Sequence, residues 1–493
     1  MRYISCSSCQ REVSFEQAVV DGWANGGGMY LPREIPELTL RSLLEMKHLS
    51  YPDLARSVLR LFVSVDEIPE RDWGSLFEQC YDQFLDPVID NSPLEDVTVV
   101  DLSRGPSLAF KDLGMQCLCS VLDYLLRRRD ASRTILVGTS GDTGPSAMVA
   151  LKAKPSMNII VLYPLGRVSE EQEAQMLSFD ASLENARCFG VEGTSDELDV
   201  PIETMFKDYE FRKTHPLGSV NSVNVLRLLA QVVHFFHIFL QEVKRSPDSS
   251  AIEVAIPSGA AGHLTAAVIA KLMGVPITRI VVGTNANDVL HRMLTQGNIS
   301  REQAVQRTLA SAMDITVPYN IERLLYLATK DVNVVSSTMS SLRSGVPTIL
   351  SSDILAWFAD LGIVSARVSD EEILETMRWT HHSQGRVQDP HTAVGIAAAR
   401  RLRQVHPSPL SMYCMGCANA AKFSDTLSSA LGPDEAKKAL QSLGSDNAHV
   451  RAMLMQTSRI QELRMSAREV FSAGEDWPSR LKSEIISLND KNN

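Results

Sequence analysis

The sequence predicts an α/β protein in which parallel sheets are flanked by helices, with a helical region before them and a helical extension after them. Three observations carry this. From about residue 97 onward, short β-branched runs alternate with helical segments, the pattern of parallel strands covered on both faces. The residues before about 95 and after about 430 show helical apolar spacing instead. Two of the strands end in glycine-rich turns, Thr139-Ser-Gly-Asp-Thr-Gly and Pro257-Ser-Gly-Ala-Ala-Gly-His. With 493 residues the chain exceeds what one core supports. We divide it into an N-terminal domain over 1–95, a central α/β region of two subdomains over 96–430 and a C-terminal helical extension over 431–493.

The elements follow in order. Ser14-Phe-Glu-Gln resembles a capping box that opens a first helix. Leu40–Met46 and Asp53–Val63 have helical spacing, and the glycine- and proline-bounded run from Gly26 to Pro36 between the first two is extended. Thr134–Gly138 is a buried strand leading to a helix from Ser146, and Asn158–Tyr163 is a second strand closed by Pro164-Leu-Gly. The long apolar stretch Val223–Val243 is interrupted by Arg227, Gln231, His234 and His237, which makes it a buried helix and not a membrane span. Ile252–Ile256 is a third strand, followed by a helix through Met273, and Arg279–Gly283 is a fourth. The polar tail from Leu488 to Asn493 is expected to fray. Ligands belong at the C-terminal ends of the parallel strands.

Bulk properties narrow the function. The net charge is −11 and the pI about 5.6, which argues against nucleic acid or an anionic membrane as partner. An anionic ligand must be met by a local cluster of donors. The N-terminus MRYISCSSCQ is neither a signal peptide nor an Arg-rich transit sequence, so a cytoplasmic protein is expected. Eight cysteines in a chain of this size read as reduced thiols. The pairs Cys6/Cys9 and Cys414/Cys417 could together bind zinc, but they lie at opposite ends of the chain in apolar surroundings, and no metal is expected.

The two turns carry chemistry only weakly. Gly259, Ala260, Ala261 and Gly262 let backbone N–H groups approach an anion at a helix N-terminus, though many such turns are glycine-rich for steric reasons alone. Ser140, Gly141, Asp142 and Thr143 add hydroxyls suited to a carboxylate, or merely cap a helix. In Gly105-Pro-Ser-Leu-Ala-Phe-Lys-Asp-Leu, Lys111 stands alone in an apolar run after a strand. Such a lysine is commonly a snorkelling surface residue; partly desolvated, it can instead form a Schiff base.

Ala109-Phe-Lys-Asp followed by Thr139-Ser-Gly-Asp-Thr-Gly resembles the threonine synthase family of fold-type II pyridoxal-phosphate enzymes, which share the tryptophan synthase β-like fold. The resemblance extends through Asp21-Gly-Trp-Ala-Asn-Gly-Gly-Gly-Met-Tyr-Leu-Pro, Asn221-Ser-Val-Asn-Val-Leu-Arg, Thr284-Asn-Ala-Asn-Asp, Ser311-Ala-Met-Asp-Ile-Thr-Val-Pro-Tyr-Asn, Asp389-Pro-His-Thr-Ala-Val-Gly and Ala421-Lys-Phe. It implies pyridoxal 5′-phosphate held by Lys111 as a Schiff base, its phosphate on the backbone of Gly259–Gly262, and Asp142 near its hydroxyl. Ser140, Gly141 and Thr143 would grip the substrate carboxylate. Asn221, Ser222, Asn224 and Arg227 would meet a substrate phosphate, since a guanidinium with flanking amides suits a dianion; Arg227 in an internal salt bridge is the competing reading. His391 would be an acid–base group or a structural hydrogen-bond donor near the site.

The chain also departs from the family. Gly-Asn-Phe-Gly becomes Gly259-Ala-Ala-Gly262, and Thr-Ala-His-Pro-Ala-Lys-Phe becomes Cys417-Ala-Asn-Ala-Ala-Lys-Phe423. A thiol at Cys417 is a weaker partner for the pyridine nitrogen than a hydroxyl. His-Gly-Pro-Thr becomes Arg104-Gly-Pro-Ser107, Asp-Gly-Gly becomes Gly26-Gly-Gly, and a lysine usual after Tyr-Pro is Leu165. The alanine loop, Val191-Glu-Gly-Thr-Ser-Asp-Glu-Leu-Asp and the Ala-Ala-Lys-Phe ending are similar to the second animal threonine-synthase-like branch, which resembles a catabolic phospho-lyase. If the changed groups line the place where water must be held at Cβ, elimination survives better than hydration. The expected activity is elimination of phosphate from O-phosphohomoserine, and from O-phosphothreonine, to 2-oxobutyrate and ammonia. Threonine formation, a specialised relative acting on another activated amino acid, and a cofactor-holding signalling protein without catalysis are the alternatives. The expected partner is a small phosphorylated amino acid, bound by a monomer or a homodimer.

Overall fold

The computed structural model describes residues 1–9, 11–24, 27–301, 304–467 and 470–490. Gly26, part of one departure above, lies outside the described residues. Two parallel-stranded sheets organise the chain. The larger has six strands in the order Ile363–Arg367, Ile277–Thr284, Ile252–Pro257, Met412–Met415, Thr98–Asp101 and Asp90–Pro93. All its pairs are parallel except the last, a hairpin edge. The smaller has four parallel strands in the order Ala186–Val191, Met157–Pro164, Arg133–Gly138 and Leu217–Gly218. The register sets Val137 against Val161 in one sheet and Val254 against Ile280 and Tyr413 in the other.

The four strands read from the β-branched runs are present, each one or two residues longer than its run at one end or both. Met412–Met415 and Ala186–Val191 were not legible. Met-Tyr-Cys-Met contains no β-branched residue, yet it fills the centre of the large sheet because both neighbours offer it a buried ladder.

Helix Val225–Arg245 runs buried along most of its length and packs on helices Lys111–Arg127, Gly262–Leu272 and Tyr51–Arg60. Phe235, Phe236 and Phe239 are at most 1% exposed, and truncating any of them is expected to cost about 3–5 kcal/mol. A Cβ at Gly114 would lie 3.3 Å from the carbonyl oxygen of Arg227, so the small residue sets how closely these two helices approach. Among the described residues no helix is long and apolar enough to cross a membrane.

The N-terminal region is helical as expected, with Phe15–Asp21 capped by Ser14, which accepts from the Gln17 amide at 3.1 Å. Its extended run forms a short antiparallel pair, Tyr3–Ser5 with Tyr30–Pro32. For residues 488–490 the expected fraying of the tail is corrected. Helix Trp477–Asp490 lies on the small sheet with Leu481, Ile485 and Leu488 buried. Asn489 Oδ1 accepts from Thr134 Oγ1 at 2.7 Å and from Asn158 Nδ2 at 3.1 Å. An apolar stripe at helical spacing, hidden in a polar sequence, holds the tail down; residues 491–493 lie outside the described residues.

Candidate active site

The turns after strands Arg133–Gly138 and Ile252–Pro257 face a common cavity of about 830 Å³. Lys111, Ser140, Asp142, Thr143, Asn221, Ser222, Arg227, His391, Cys417 and the whole Gly259–Gly262 turn line it. Residues scattered over the chain are thus brought together at the C-terminal ends of parallel strands, where ligands bind in this class of sheet.

Lys111 opens helix Lys111–Arg127, and its side chain is only 16% exposed. The loop before it is zipped to the segment after strand Met412–Met415: the Phe110 amide donates to the Cys417 carbonyl at 2.8 Å and the Asn419 amide to Leu108 at 2.9 Å. Its Nζ lies 3.4 Å from Asp142 Oδ2 and over the Phe110 ring at 4.6 Å. This is an enclosed amine, and the snorkelling reading is excluded.

Asp142 is 1% exposed and carries several partners. Lys422 Nζ lies 2.8 Å from its Oδ1, and Gln172 Nε2 donates to the same oxygen at 2.9 Å. Burial alone would push its carboxyl up, but Lys422 and Lys111 outweigh that and hold it well below the usual carboxylate range. Asp142 is a carboxylate here.

The Gly259–Gly262 turn presents backbone amides at the N-terminus of helix Gly262–Leu272, with Ala261 in the left-handed region at φ 60°. A Cβ at Gly259 would lie 2.9 Å from Met313 Cα, so only glycine lets the turn sit this close to its neighbour. The adjacent Ser258 hydroxyl is buried and has no partner among the described residues. An enclosed amine, an anion cradle and a spare hydroxyl between them fit pyridoxal phosphate. Lys111 and the Gly259–Gly262 turn are the residues that would hold it.

Comparison with known proteins agrees. The family described as "Pyridoxal-phosphate dependent enzyme" matches residues 89–409. "Threonine synthase N terminus" matches 2–81 and "Threonine synthase, C-terminal" matches 392–463. The chain belongs to the threonine synthase family. It is 37% identical to human threonine synthase-like 2 over 88% of this chain and 90% of that one. It is 34% identical to threonine synthase of Saccharomyces cerevisiae over 86% and 88%. The crystal structure of yeast threonine synthase superposes with a TM-score of 0.84 at 30% identity over 99% of both chains. The pyridoxal-phosphate-bound threonine synthase of Brucella melitensis does so with 0.83 at 29% identity, again over 99% of both. The fold is therefore that of a fold-type II pyridoxal-phosphate enzyme.

As in any threonine synthase family site, the remaining residues must sort into those facing the ligand and those building the wall. Asn221 faces the cavity, donating to the Gly138 carbonyl at 3.2 Å, and its Oδ1 has no partner among the described residues. Ser222 Oγ accepts from Asn320 Nδ2 at 3.1 Å. Arg227 is buried and donates to the Val220 carbonyl at 3.0 Å, its Nε unpaired. Among the described residues it forms no ion pair, which removes the internal-salt-bridge reading. Burial lowers its pKa to about 10, so it remains a cation.

Asn224 is a correction. It is fully buried away from the cavity and caps helix Val225–Arg245. Its Oδ1 accepts from the Leu226 amide at 3.2 Å, and its Nδ2 donates to Val19 and Ser219 carbonyls at 2.9 and 3.1 Å. The Asn-x-x-Arg spacing turns one residue into the cap and sends only the other inward. Gly141 also lies off the cavity wall, holding φ 142° with the Gln172 amide where its Cβ would be.

Both ring nitrogens of His391 are engaged. Its Nε2 accepts from the Ala312 amide at 3.0 Å and its Nδ1 lies 3.0 Å from Asp389 Oδ1. The expected donor is the Nδ1–H toward Asp389, while the nitrogen turned toward the 311–313 turn is an acceptor.

The departures from the family divide the same way. Ala260, Ala261 and Cys417 line the cavity. Arg104, Leu165 and Asn419 do not, which corrects the expectation that all the changed groups surround the reacting carbon. Arg104 donates to the Pro87 carbonyl at 2.6 Å, and Asn419 caps the turn Ala420–Lys422. Sequence reading missed Lys422, although it stands in the Ala421-Lys-Phe motif. It also missed Gln172, whose Ser169-x-x-Gln172 capping-box pattern was visible, and Asp199, bonded to Tyr319 on the far cavity wall.

Proposed function

We propose that this protein is a phospho-lyase that converts O-phosphohomoserine and water to 2-oxobutyrate, ammonia and phosphate. The observation that carries the reading is the character of the cavity wall at Cys417, Ala260 and Ala261. A buried thiol, whose pKa burial raises well above its ordinary value, and two methyl groups stand where the family pattern has a hydroxyl, an amide and an aromatic ring. Placing a water at Cβ for threonine formation needs a fixed polar partner, and an ångström of error costs about two orders of magnitude. Elimination does not need that water.

Pyridoxal phosphate supplies an electron sink for the carbanion at the substrate Cα. Lys111 would hold the cofactor, and its amine would move the Cα and Cβ protons. The hydroxyls of Ser140 and Thr143 and the amides of their turn bind the substrate carboxylate. Arg227, Asn221 and Ser222 meet the phosphate; the unpaired Nε of Arg227 is a donor left for it. Phosphate leaves from Cγ as the Cβ proton is taken, a proton is returned to Cγ, and water hydrolyses the released enamine. O-phosphothreonine reaches the same enamine by losing its β-phosphate.

The second reading, threonine formation, is favoured by the 34% identity to yeast threonine synthase. Purified holoenzyme given O-phosphohomoserine decides between them when phosphate, 2-oxobutyrate and threonine are followed together. Phosphate matched by 2-oxobutyrate supports the lyase, and phosphate matched by threonine overturns it. Phosphate release from neither substrate would point to another activated amino acid.

A further inference from the structure

Lys422 is a second lysine in the site, and its surroundings give it a task. Its side chain is 0% exposed. Nζ lies 2.8 Å from Asp142 Oδ1 and donates to the Ser107 carbonyl at 2.8 Å. Asp142 turns its other oxygen, Oδ2, to Lys111 Nζ at 3.4 Å. One carboxylate is therefore shared by two lysines, one sealed in the wall and one open to the cavity. A buried cation is expensive unless paired, so Lys422 cannot be a bystander. Through Ser107 it also holds the loop that delivers Lys111: the Ser107 amide and hydroxyl both donate to Asp112, at 2.8 and 2.5 Å.

We propose that Lys422 is a positioning residue that acts through Asp142, holding that carboxylate ionised and aligned and thereby setting how tightly the Lys111 nitrogen keeps its proton. The inference rests on Lys111 being the cofactor lysine. The other groups around the pair do not carry the charge. His263, near Lys111, is brought down to about 3 by burial and is neutral. The Cys417 thiol is held protonated by burial. His391 Nε2 accepts from Ala312, which requires an unprotonated nitrogen. Gln172 binds Asp142 without charge, and Asp112 is engaged by Ser107. With Lys422 gone, the field of Asp142 falls on the Lys111 nitrogen alone, which then holds its proton more tightly.

The test is the pH titration of the visible absorption band of the holoenzyme. Loss of the band in Lys111→Ala checks the underlying reading separately. Lys422→Met is expected to raise the apparent pKa of the band so that proton affinity grows about tenfold or more, and Lys422→Arg, which keeps the charge, to titrate near wild type. Because an unpaired Asp142 can prevent folding, Asp142→Asn is compared with the double variant Asp142→Asn/Lys422→Met, which removes the buried charges together. These two are expected to titrate alike. A wild-type titration in Lys422→Met, or a further tenfold change between Asp142→Asn and the double variant, overturns the proposal.

Discussion

The side chain of Gln172 joins a helix cap to Asp142. Its Oε1 accepts from the Ser169 amide at 3.0 Å, completing a capping box, while its Nε2 donates to Asp142 Oδ1 at 2.9 Å. Local helix chemistry thus supplies a fixed donor to the carboxylate beside Lys111. Gln172→Ala is expected to lose about 1–2 kcal/mol of stability, as for a lost cap and one hydrogen bond to a charged group. Gln172→Glu, which sets a second carboxylate against Asp142, is expected to lose more, together with cofactor affinity. Chemical denaturation and cofactor titration of both variants check this.

Arg227 and Asn224 separate on different readouts. Arg227→Met removes a charged donor for the substrate phosphate and is expected to raise KM about tenfold to a hundredfold while leaving kcat within a few-fold. Steady-state kinetics with O-phosphohomoserine measure it. An unchanged KM would move the phosphate site elsewhere in the cavity.

Asn224→Ala breaks a helix cap and leaves the Val19 and Ser219 carbonyls without that donor. A stability loss of about 1–3 kcal/mol is expected, with KM of the folded enzyme near wild type. Denaturation curves and kinetics on the same preparation distinguish this from a substrate contact.

Asp199 gives the site a pH-dependent edge. Burial, with Asp196 and Glu203 as like charges, pushes its carboxyl up to about 7 against the hydrogen bond from Tyr319. The unfolded chain gives up this proton near 3.8, the ordinary value of an aspartate, so the folded state holds more protons between the two values. The contribution is full below about pH 4 and is lost as pH rises through about 7. Denaturation midpoints are expected to fall less steeply across that window in Asp199→Asn than in wild type.

Cys417→Thr restores the hydroxyl of the family pattern on the cavity wall. Among the described residues the Cys417 sulfur finds only the Met415 carbonyl at 4.0 Å, and a hydroxyl is a stronger donor than a thiol. The threonine share of the product is expected to rise relative to 2-oxobutyrate. An unchanged ratio would place the water-holding function at Ala260 and Ala261 instead.

His391→Gln offers a last separation. Its Nε2 fixes the Ala312 turn, and Ser140 Oγ donates to the Ala312 carbonyl at 3.3 Å. A positioning role predicts kcat/KM reduced about a hundredfold or less with no loss of a pH limb. Disappearance of a limb from the pH–rate profile would make it an acid–base group.

The α/β class, four buried strands, the long buried helix and the cavity-lining Lys111, Asp142 and Gly259–Gly262 were legible in the amino-acid order. The class, the strands and the helix depend on local rules, β-branched runs and helical spacing, whereas Lys111, Asp142 and the Gly259–Gly262 turn were singled out by the resemblance to a known family. The tertiary structure decided what depends on contacts between distant segments. It made Met412–Met415 a central strand, since a strand without β-branched residues is stabilised by the ladders on either side. It turned Asn224, the cap of one helix, away from the cavity and Arg227, within that helix, toward it. It removed Arg104, Leu165 and Asn419 from the cavity, and brought Lys422, more than 250 residues from Asp142 in sequence, onto its carboxylate. No local pattern encodes such a pairing, because the energy of a buried ion pair exists only once both charges have left water together.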